Sequence, residues 1–201
     1  MFTLPPDASA RIRQHIESSI DTKRRLLESP AAPLLEAARA MGESLAAGHK
    51  ILLCGNGGSA ADAQHIAAEF VSVLDHNHPR PPLAAIALTT DTSFLTASAN
   101  DFGFAGVFER QVQALGRPGD VLIGISTSGS SENVLRAVRC ARARQLRTIA
   151  LTREGDSPLA EAAEIVLQVP SRVTQYVQEA HIMIGHILCD LIETSLAVTE
   201  P

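Results

Sequence analysis

The stretch at residues 54–70, which reads CGNGGSAADAQHIAAEF, constrains the fold more than any other part of the chain. It follows the apolar run at residues 51–53, whose length and composition are typical of a buried parallel strand. Its glycines allow the backbone to turn tightly and to approach a ligand closely. Ser59 is the predicted N-cap of the next helix, and the free N–H groups at a helix start favour an anion. This segment therefore predicts a strand, a ligand-binding loop and a helix in immediate succession.

The rest of the chain alternates between short apolar runs and helical segments, and this alternation predicts a parallel, doubly wound α/β sheet. Five strands are expected, at residues 51–54, 83–88, 121–125, 148–151 and 164–169. The expected helices lie at about residues 8–27, 32–47, 59–73, 93–99, 107–115, 131–143 and 173–196. The predicted architecture is a five-stranded, flavodoxin-like domain over residues 1–201, with an N-terminal helical extension at 1–48 and an α/β core at 49–201.

Composition argues against several classes of function. The formal net charge is −5, aromatic residues make up 3% of the chain, and no dense run of lysine and arginine occurs. Nucleic acid is therefore not the expected ligand. No apolar stretch reaches membrane-spanning length, and the N-terminus lacks a signal-peptide pattern. Cys54, Cys140 and Cys189 are far apart and odd in number, which favours reduced thiols in a cytoplasmic protein.

A second loop of small residues follows the third predicted strand. Residues 126–131 read STSGSS and offer four serine hydroxyls and one threonine hydroxyl beside a predicted helix start. One such loop is more often a plain hydrophilic turn, and neither loop is a P-loop or a dinucleotide fingerprint. Two of them at the carboxyl ends of parallel strands nevertheless favour a phosphate site that needs no lysine. The sequence thus indicates an enzyme that acts on a phosphorylated small molecule.

Ionisable residues on two predicted helices could supply the chemistry. His65 and Glu69 lie four residues apart, on one face of the helix after the glycine loop. The segment DHNH at residues 75–78 resembles a metal cluster, but its place before a proline favours a solvated turn. The last helix carries the candidate residues Gln178, Glu179, His181 and His186. Its pattern does not choose between the two histidines.

Four segments resemble the sugar isomerase (SIS) domain family, and the resemblance covers nearly the whole chain. They read CGNGGSAADAQHIAAEF, ALTTDTSFLTASANDFGF, GDVLIGISTSGSSENV and VQEAHIMIGHILCDLIE. The resemblance implies the fold of that family and the activity of an aldose–ketose isomerase. The most similar branch converts sedoheptulose 7-phosphate to D-glycero-D-manno-heptose 7-phosphate. That product leads to the nucleotide-activated heptose of lipopolysaccharide or other surface glycans.

The resemblance also implies which residues form the site. Those expected to contact the sugar phosphate are Asn56, Gly57, Gly58, Ser59, Glu69, Asn100, Asp101, Ser126, Thr127, Ser128, Ser131 and Gln178. Those matching the metal and catalytic set are His65, Glu69, Gln178 and His186, so the resemblance selects His186 over His181. It implies one zinc ion per subunit and a homotetramer with active sites between subunits. Glu69 is then the expected base and His186 the expected acid, while zinc binding is a competing role for Glu69.

The chain departs from the family pattern at two places. Val73 stands where relatives often carry an arginine, and residues 153–156, REGD, stand where a Gly-Gly pair is common. A rival hypothesis is a non-catalytic SIS tetramer that binds the replication initiator DnaA. That relative lacks the helix glutamate, so Glu69 favours the enzyme. A sugar-phosphate-sensing module is a third alternative, but such modules are usually attached to a DNA-binding domain.

Overall fold

The computed structural model describes residues 1–197, and its centre is a five-stranded parallel sheet in the order β2-β1-β3-β4-β5. The strands are β1 (Ile51–Gly55), β2 (Ala85–Ala87), β3 (Val121–Ile125), β4 (Arg147–Arg153) and β5 (Ile165–Val169). This is the doubly wound order, and the predicted fold class is confirmed. Residues 198–201 of the predicted domain lie outside the described part of the chain.

Helices cover both faces of the sheet. They are α1 (Ala8–Leu27), α2 (Ala32–Ala46), α3 (Gly58–Val71), α4 (Thr92–Phe102), α5 (Val107–Leu115), α6 (Glu132–Ala143), α7 (Pro158–Ala162) and α8 (Thr174–Ala197). A 3₁₀ turn, Phe104–Gly106, joins α4 to α5. Helices α2, α3 and α8 pack on one face, and α5, α6 and α7 on the other. Within residues 1–197, no helix is both long and apolar enough to cross a membrane.

Each strand of the centre contributes side chains to two separate cores, because successive residues of a strand point to opposite faces. Ile51 and Leu53 of β1 belong to the core under α2, α3 and α8, whereas Leu52 and Cys54 belong to the other. All five residues of β1 and of β3 are buried, as expected for central parallel strands. The loops that follow β1 and β3 therefore lie next to a buried aliphatic core.

The start of α3 differs from the prediction. Gly57, not Ser59, is the N-cap residue, and its φ of 56° is a conformation that glycine adopts readily. Ser59 lies inside the first turn, buried at 3% exposure, and its N–H donates to the Asn56 carbonyl at 3.0 Å. The predicted capping role of Ser59 is therefore wrong, because the glycine turn starts the helix earlier than a serine cap would.

Three other elements also differ from the prediction. Strand β2 is only three residues long and starts after Leu83, whose N–H donates to the Phe70 carbonyl of α3 at 3.0 Å rather than to the sheet. Helix α4 continues to Phe102, so Asn100 and Asp101 lie in its last turn rather than in a loop. Helix α7 was not predicted, although Ser157 caps it by accepting from the Ala160 N–H at 3.2 Å.

A buried carboxylate holds together the edge of the sheet opposite the predicted site. The Asp120 side chain is 1% exposed and accepts from Lys50 Nζ at 2.6 Å, from the Lys50 N–H at 3.0 Å and from the Arg117 N–H at 2.8 Å. Burial raises the pKa of Asp120, but these hydrogen bonds and the Lys50 charge outweigh it and hold the pKa below its ordinary value. Asp120 therefore joins the starts of β1 and β3.

Replacing this carboxylate should destabilise the protein without touching the site. We expect Asp120→Asn to lower the free energy of unfolding by about 2–4 kcal/mol at neutral pH, because the half-buried Lys50 loses its charge partner and the buried side chain loses acceptors. Urea denaturation followed by circular dichroism measures this. The native pKa is depressed, so the contribution of Asp120 persists above its ordinary pKa of 3.8 and is lost as the pH falls through the lower native value.

Asp7→Asn is the matched control, since it removes a carboxylate from an exposed pair. Asp7 accepts from Arg11 at 2.9 Å, with side chains 55% and 68% exposed. Such pairs contribute little, so the control should change stability by less than about 1 kcal/mol. Equal losses in the two variants would contradict the structural role given to Asp120.

Candidate active site

The glycine loop packs against two neighbours that leave no room for a Cβ atom. A side chain on Gly55 would overlap the backbone of Ser59, and one on Gly58 would overlap the Gln178 amide of α8. The loop follows β1 directly and leads into α3, so its N–H groups lie at the positive end of that helix. Glycine is thus required here for close approach, and the loop brings α8 to the start of α3.

The serine loop after β3 gathers its hydroxyl groups at the start of α6. Ser126 Oγ lies 2.9 Å from Ser131 Oγ and 3.4 Å from Ser128 Oγ. Ser131 is the N-cap residue of α6 and makes no side-chain capping bond. Gly129, with φ 68°, packs so closely on Ser157 that a side chain could not be placed there. Three convergent hydroxyls beside a helix start have the character of an oxyanion site.

Asn56 and Asn133 join the two loops. The Asn56 amide nitrogen donates to Asn133 Oδ1 at 2.9 Å, and the Asn133 amide nitrogen donates back to Asn56 Oδ1 at 2.8 Å. Asn133 is 4% exposed and was not predicted as a site residue. Half of the hydrogen-bonding capacity of Asn56 is used inside the protein, and one amide hydrogen and one oxygen lone pair remain for a ligand.

Helices α3 and α8 bring three potential metal ligands together. His65 Nε2 lies 2.8 Å from His186 Nε2 and 3.2 Å from Glu69 Oε1, and one ligand atom from each residue lies within 4.8 Å of the others. Two nitrogen ligands of a tetrahedral zinc ion are about 3.3 Å apart, which is close to this spacing. Facing imidazole nitrogens need a shared proton or a cation between them. The donor set therefore fits a zinc ion.

The remaining predicted site residues lie at various distances from this cluster. Gln178 lies against Gly58, two turns before His186 on α8. Asn100 and Asp101 are exposed at the end of α4, where the Asn100 amide donates to Asp101 at 2.8 Å. Among the described side chains, no hydrogen bond or ion pair connects those two to the His65 group. Thr127 is half-buried in the serine loop.

Asp62 is a site candidate that the sequence reasoning missed. It lies one turn before His65 on α3, and its buried Oδ2 atom has no hydrogen-bond partner among residues 1–197. Burial raises the pKa of this carboxyl to about 6, against a lowering effect of His65. Its spacing of three residues from His65 and seven from Glu69 puts all three on one helix face, and this spacing could have identified it.

His181 is a packing residue rather than a member of the cluster. It is fully buried, and neither ring nitrogen makes a hydrogen bond of good geometry within the described part of the chain. Burial lowers its pKa to about 4, opposed by the nearby backbone of Thr152, so the ring is neutral at physiological pH. The DHNH segment is also separate: His78 Nδ1 lies 2.8 Å from Asp75 in an exposed turn, as expected from the sequence.

Comparison with known proteins identifies the family. The SIS domain family matches residues 14–153. The phosphoheptose isomerase of Roseiflexus sp. (strain RS-1) is 50% identical over 193 residues, which are 96% of this chain and 97% of that protein. The phosphoheptose isomerase of Aquifex aeolicus is 49% identical over 183 residues, which are 91% of this chain and 95% of that protein.

Solved structures agree with the sequence relatives. Phosphoheptose isomerase GmhA from Neisseria gonorrhoeae superposes with a TM-score of 0.87 at 46% identity, covering 93% of this chain and 99% of that one. A phosphoheptose isomerase from Francisella tularensis gives a TM-score of 0.88 at 39% identity, covering 93% of this chain and 98% of that one. The chain therefore belongs to the SIS domain family and, within it, to the phosphoheptose isomerases.

Proposed function

We propose that this phosphoheptose isomerase interconverts sedoheptulose 7-phosphate and D-glycero-D-manno-heptose 7-phosphate, which supplies the heptose of lipopolysaccharide or other surface glycans. The observation that carries the proposal is the convergence of Glu69 and His186 beside His65. The full-length relatives named phosphoheptose isomerase support the same activity. The DnaA-binding alternative gains no support, because Glu69 takes part in this cluster.

The reaction moves one proton between adjacent carbons through an enediol, so it needs a base and an acid on the same part of the sugar. Glu69 is the base that removes the proton from C1, while His186 gives a proton to the oxygen on C2. Glu69 then returns a proton to C2, and the C1 hydroxyl gives its proton to His186, which completes the aldose and restores both residues. The Glu69 and His186 ligand atoms lie within 4.8 Å of each other, so both can address two bonded carbon atoms.

The phosphate of the substrate is proposed to bind in the serine loop. Ser126, Ser128 and Ser131 offer convergent hydroxyls at the start of α6, and the glycine loop offers a second helix start beside them. Thr127 lies in the same loop, and Asn56 retains free hydrogen-bonding capacity there. The other proposed substrate contacts are Gly57, Gly58, Ser59, Glu69, Asn100, Asp101 and Gln178.

Glu69→Gln tests the base. The change keeps the size of the side chain and one acceptor oxygen but removes the proton acceptor, so turnover should fall by roughly 10²–10⁴-fold with the fold intact. NMR detection of the aldoheptose phosphate during incubation with sedoheptulose 7-phosphate measures this. Glu43→Gln, on the exposed face of α2, is the control and should keep wild-type turnover. Near wild-type turnover of Glu69→Gln would show that Glu69 is not the base.

The same assay tests the phosphate site through the substrate. Unphosphorylated sedoheptulose keeps the reacting carbons but lacks the group that the serine loop is proposed to hold. Its kcat/KM should therefore be lower by a factor of at least about 100, equivalent to a few charge-assisted hydrogen bonds. Equal kcat/KM values for both sugars would rule out the serine loop as a phosphate site.

We further propose that one zinc ion per subunit is held by His65, Glu69 and His186, with Gln178 as a fourth candidate. Zinc bound there would polarise the sugar carbonyl as a Lewis acid. In that state Glu69 and His186 would both be ligands, so zinc would replace His186 in polarising the oxygen on C2, and Glu69 would be a weaker base because it shares its charge with the ion.

Metal analysis of the purified protein tests the zinc site. We expect close to one zinc per chain, reversibly removed by a chelator, and titration calorimetry should show binding weakened by at least tenfold in His65→Ala. His78→Ala is the control, because this exposed histidine lies in the DHNH turn and should leave zinc binding unchanged. A wild-type zinc affinity in His65→Ala would contradict the proposed ligand set.

The oligomer is proposed to be a homotetramer with active sites between subunits. Helix α1 carries an exposed apolar stripe at four-residue spacing, Ile12, Ile16 and Ile20, with exposures of 64%, 54% and 42%. The adjoining side of α1, with Ser19 and Thr22, is already buried against its own chain. A second copy of the chain would cover this stripe.

Light scattering at micromolar concentration should therefore give a mass near four times the chain mass of 21.3 kDa. Ile16→Glu places a charge in the stripe and should dissociate the assembly, and activity should be lost with it if the sites are composite. A wild-type protein that is monomeric and active, or a dissociated variant with full activity, would contradict the composite site.

A further inference from the structure

A buried ion pair ties the end of α3 to α8. Arg80, in the loop after α3, and Glu193, near the end of α8, have side chains only 10% and 12% exposed. Arg80 donates to Glu193 Oε1 from Nε at 2.8 Å and from Nη2 at 2.5 Å. The same oxygen accepts from the Leu74 N–H at 3.0 Å. We call Arg80 and Glu193 the α3–α8 clamp.

The clamp also closes the carboxyl end of α3. Arg80 Nη2 donates to the Glu69 carbonyl at 2.8 Å, and Nη1 donates to the carbonyls of Phe70 at 2.9 Å and Pro81 at 3.0 Å. The last carbonyls of a helix have no partner within the helix, and a cation there also complements the helix dipole. Arg80 thus holds the backbone of Glu69, the residue that bears the proposed base.

All five N–H groups of Arg80 are used in these contacts: one from Nε, two from Nη1 and two from Nη2. The guanidinium therefore has no donor left for a substrate. Cys189, which lies near Glu193, Glu69 and Arg80, is fully buried, so little solvent reaches the pair. A hydrogen-bonded pair in such surroundings is rigid.

The clamp connects the two helices that carry the proposed catalytic set. Helix α3 supplies His65 and Glu69, while α8 supplies His186, which lies seven residues before Glu193 and on the same helix face. A shift of α3 along α8 would separate His65 Nε2 from His186 Nε2, which now lie 2.8 Å apart. The spacing of the set thus depends on a contact that does not touch it.

We propose that Arg80 and Glu193 are positioning residues, which fix the Glu69 carboxylate in register with His65 and His186 across the α3–α8 interface. This inference rests on the proposed isomerase activity. It assigns to the clamp an effect on kcat and on metal binding rather than on substrate binding, because Arg80 has no free donor. The pair acts as one unit, since each partner holds the other in place.

Conservative variants of both partners provide the test. Arg80→Lys keeps the charge but cannot reach Glu193 and two carbonyls at once, and Glu193→Gln keeps the shape without the charge. We expect kcat for sedoheptulose 7-phosphate to fall by roughly 10-fold or more, with KM changed by less than about threefold. Zinc affinity, measured by calorimetry, should weaken by about 10–100-fold, as with other residues that orient metal ligands.

The double variant tests whether the two residues act together. Arg80→Lys/Glu193→Gln should lose little more in kcat than either single variant, because the first change already releases the unit. Asp120→Asn is the matched control, since it breaks a similarly buried carboxylate–cation pair at the opposite edge of the sheet. It should lower the denaturation midpoint while keeping kcat and zinc affinity per folded molecule.

The outcomes separate this inference from the proposed function. A wild-type protein without isomerase activity would refute the proposed function. The zinc affinity of the Arg80 and Glu193 variants would then test the positioning role of the clamp by itself. If the kcat losses of the two single variants multiply in the double variant, Arg80 and Glu193 act independently, and the proposal that they act as one unit is refuted. If neither kcat nor zinc affinity distinguishes the clamp variants from Asp120→Asn, the clamp serves stability only and the inference fails.

Discussion

The register between β1 and β3 places the glycine loop and the serine loop side by side. Gly55 pairs with Ile125 at the ends of these neighbouring parallel strands, so the glycine loop and the serine loop begin at the same level. Both loops lead directly into helices, whose starts therefore point to one place at the edge of the sheet. The reciprocal amide bonds of Asn56 and Asn133 then fix the two loops to each other. An oxyanion bound there meets two helix dipoles and several hydroxyls.

Close packing of α8 against α3 brings the ionisable side chains of the site together near the two loops. Gly58 leaves room for the Gln178 amide, and Gly185 leaves room for the Ile66 side chain, so neither position has space for a Cβ atom. The helices can then approach closely enough for His186 to contact His65. Apolar residues of both helices, including Ile66 and Ile184, are buried directly beneath, so hydrophobic burial supplies the energy that keeps the polar cluster assembled.

Local sequence signals located the two loops but were misread at two helix starts, those of α3 and α7, and contacts between distant residues could not be predicted. The glycine and serine loops carry their own turn chemistry, so both were located correctly. Helix α7 had a local signal, a serine before a proline, that was overlooked. Asn133 and Arg80 have no such signal, because their partners lie 77 and 113 residues away. Asp62 differs again, since only folding buries its carboxyl.

Val73, where the family resemblance implies an arginine, lies at the same end of α3 as Arg80, which provides a cation there. Arg80 cannot replace a substrate-binding arginine, because each of its N–H groups already has an acceptor. In the proposed site the phosphate would instead meet neutral donors, the serine hydroxyls and the helix starts.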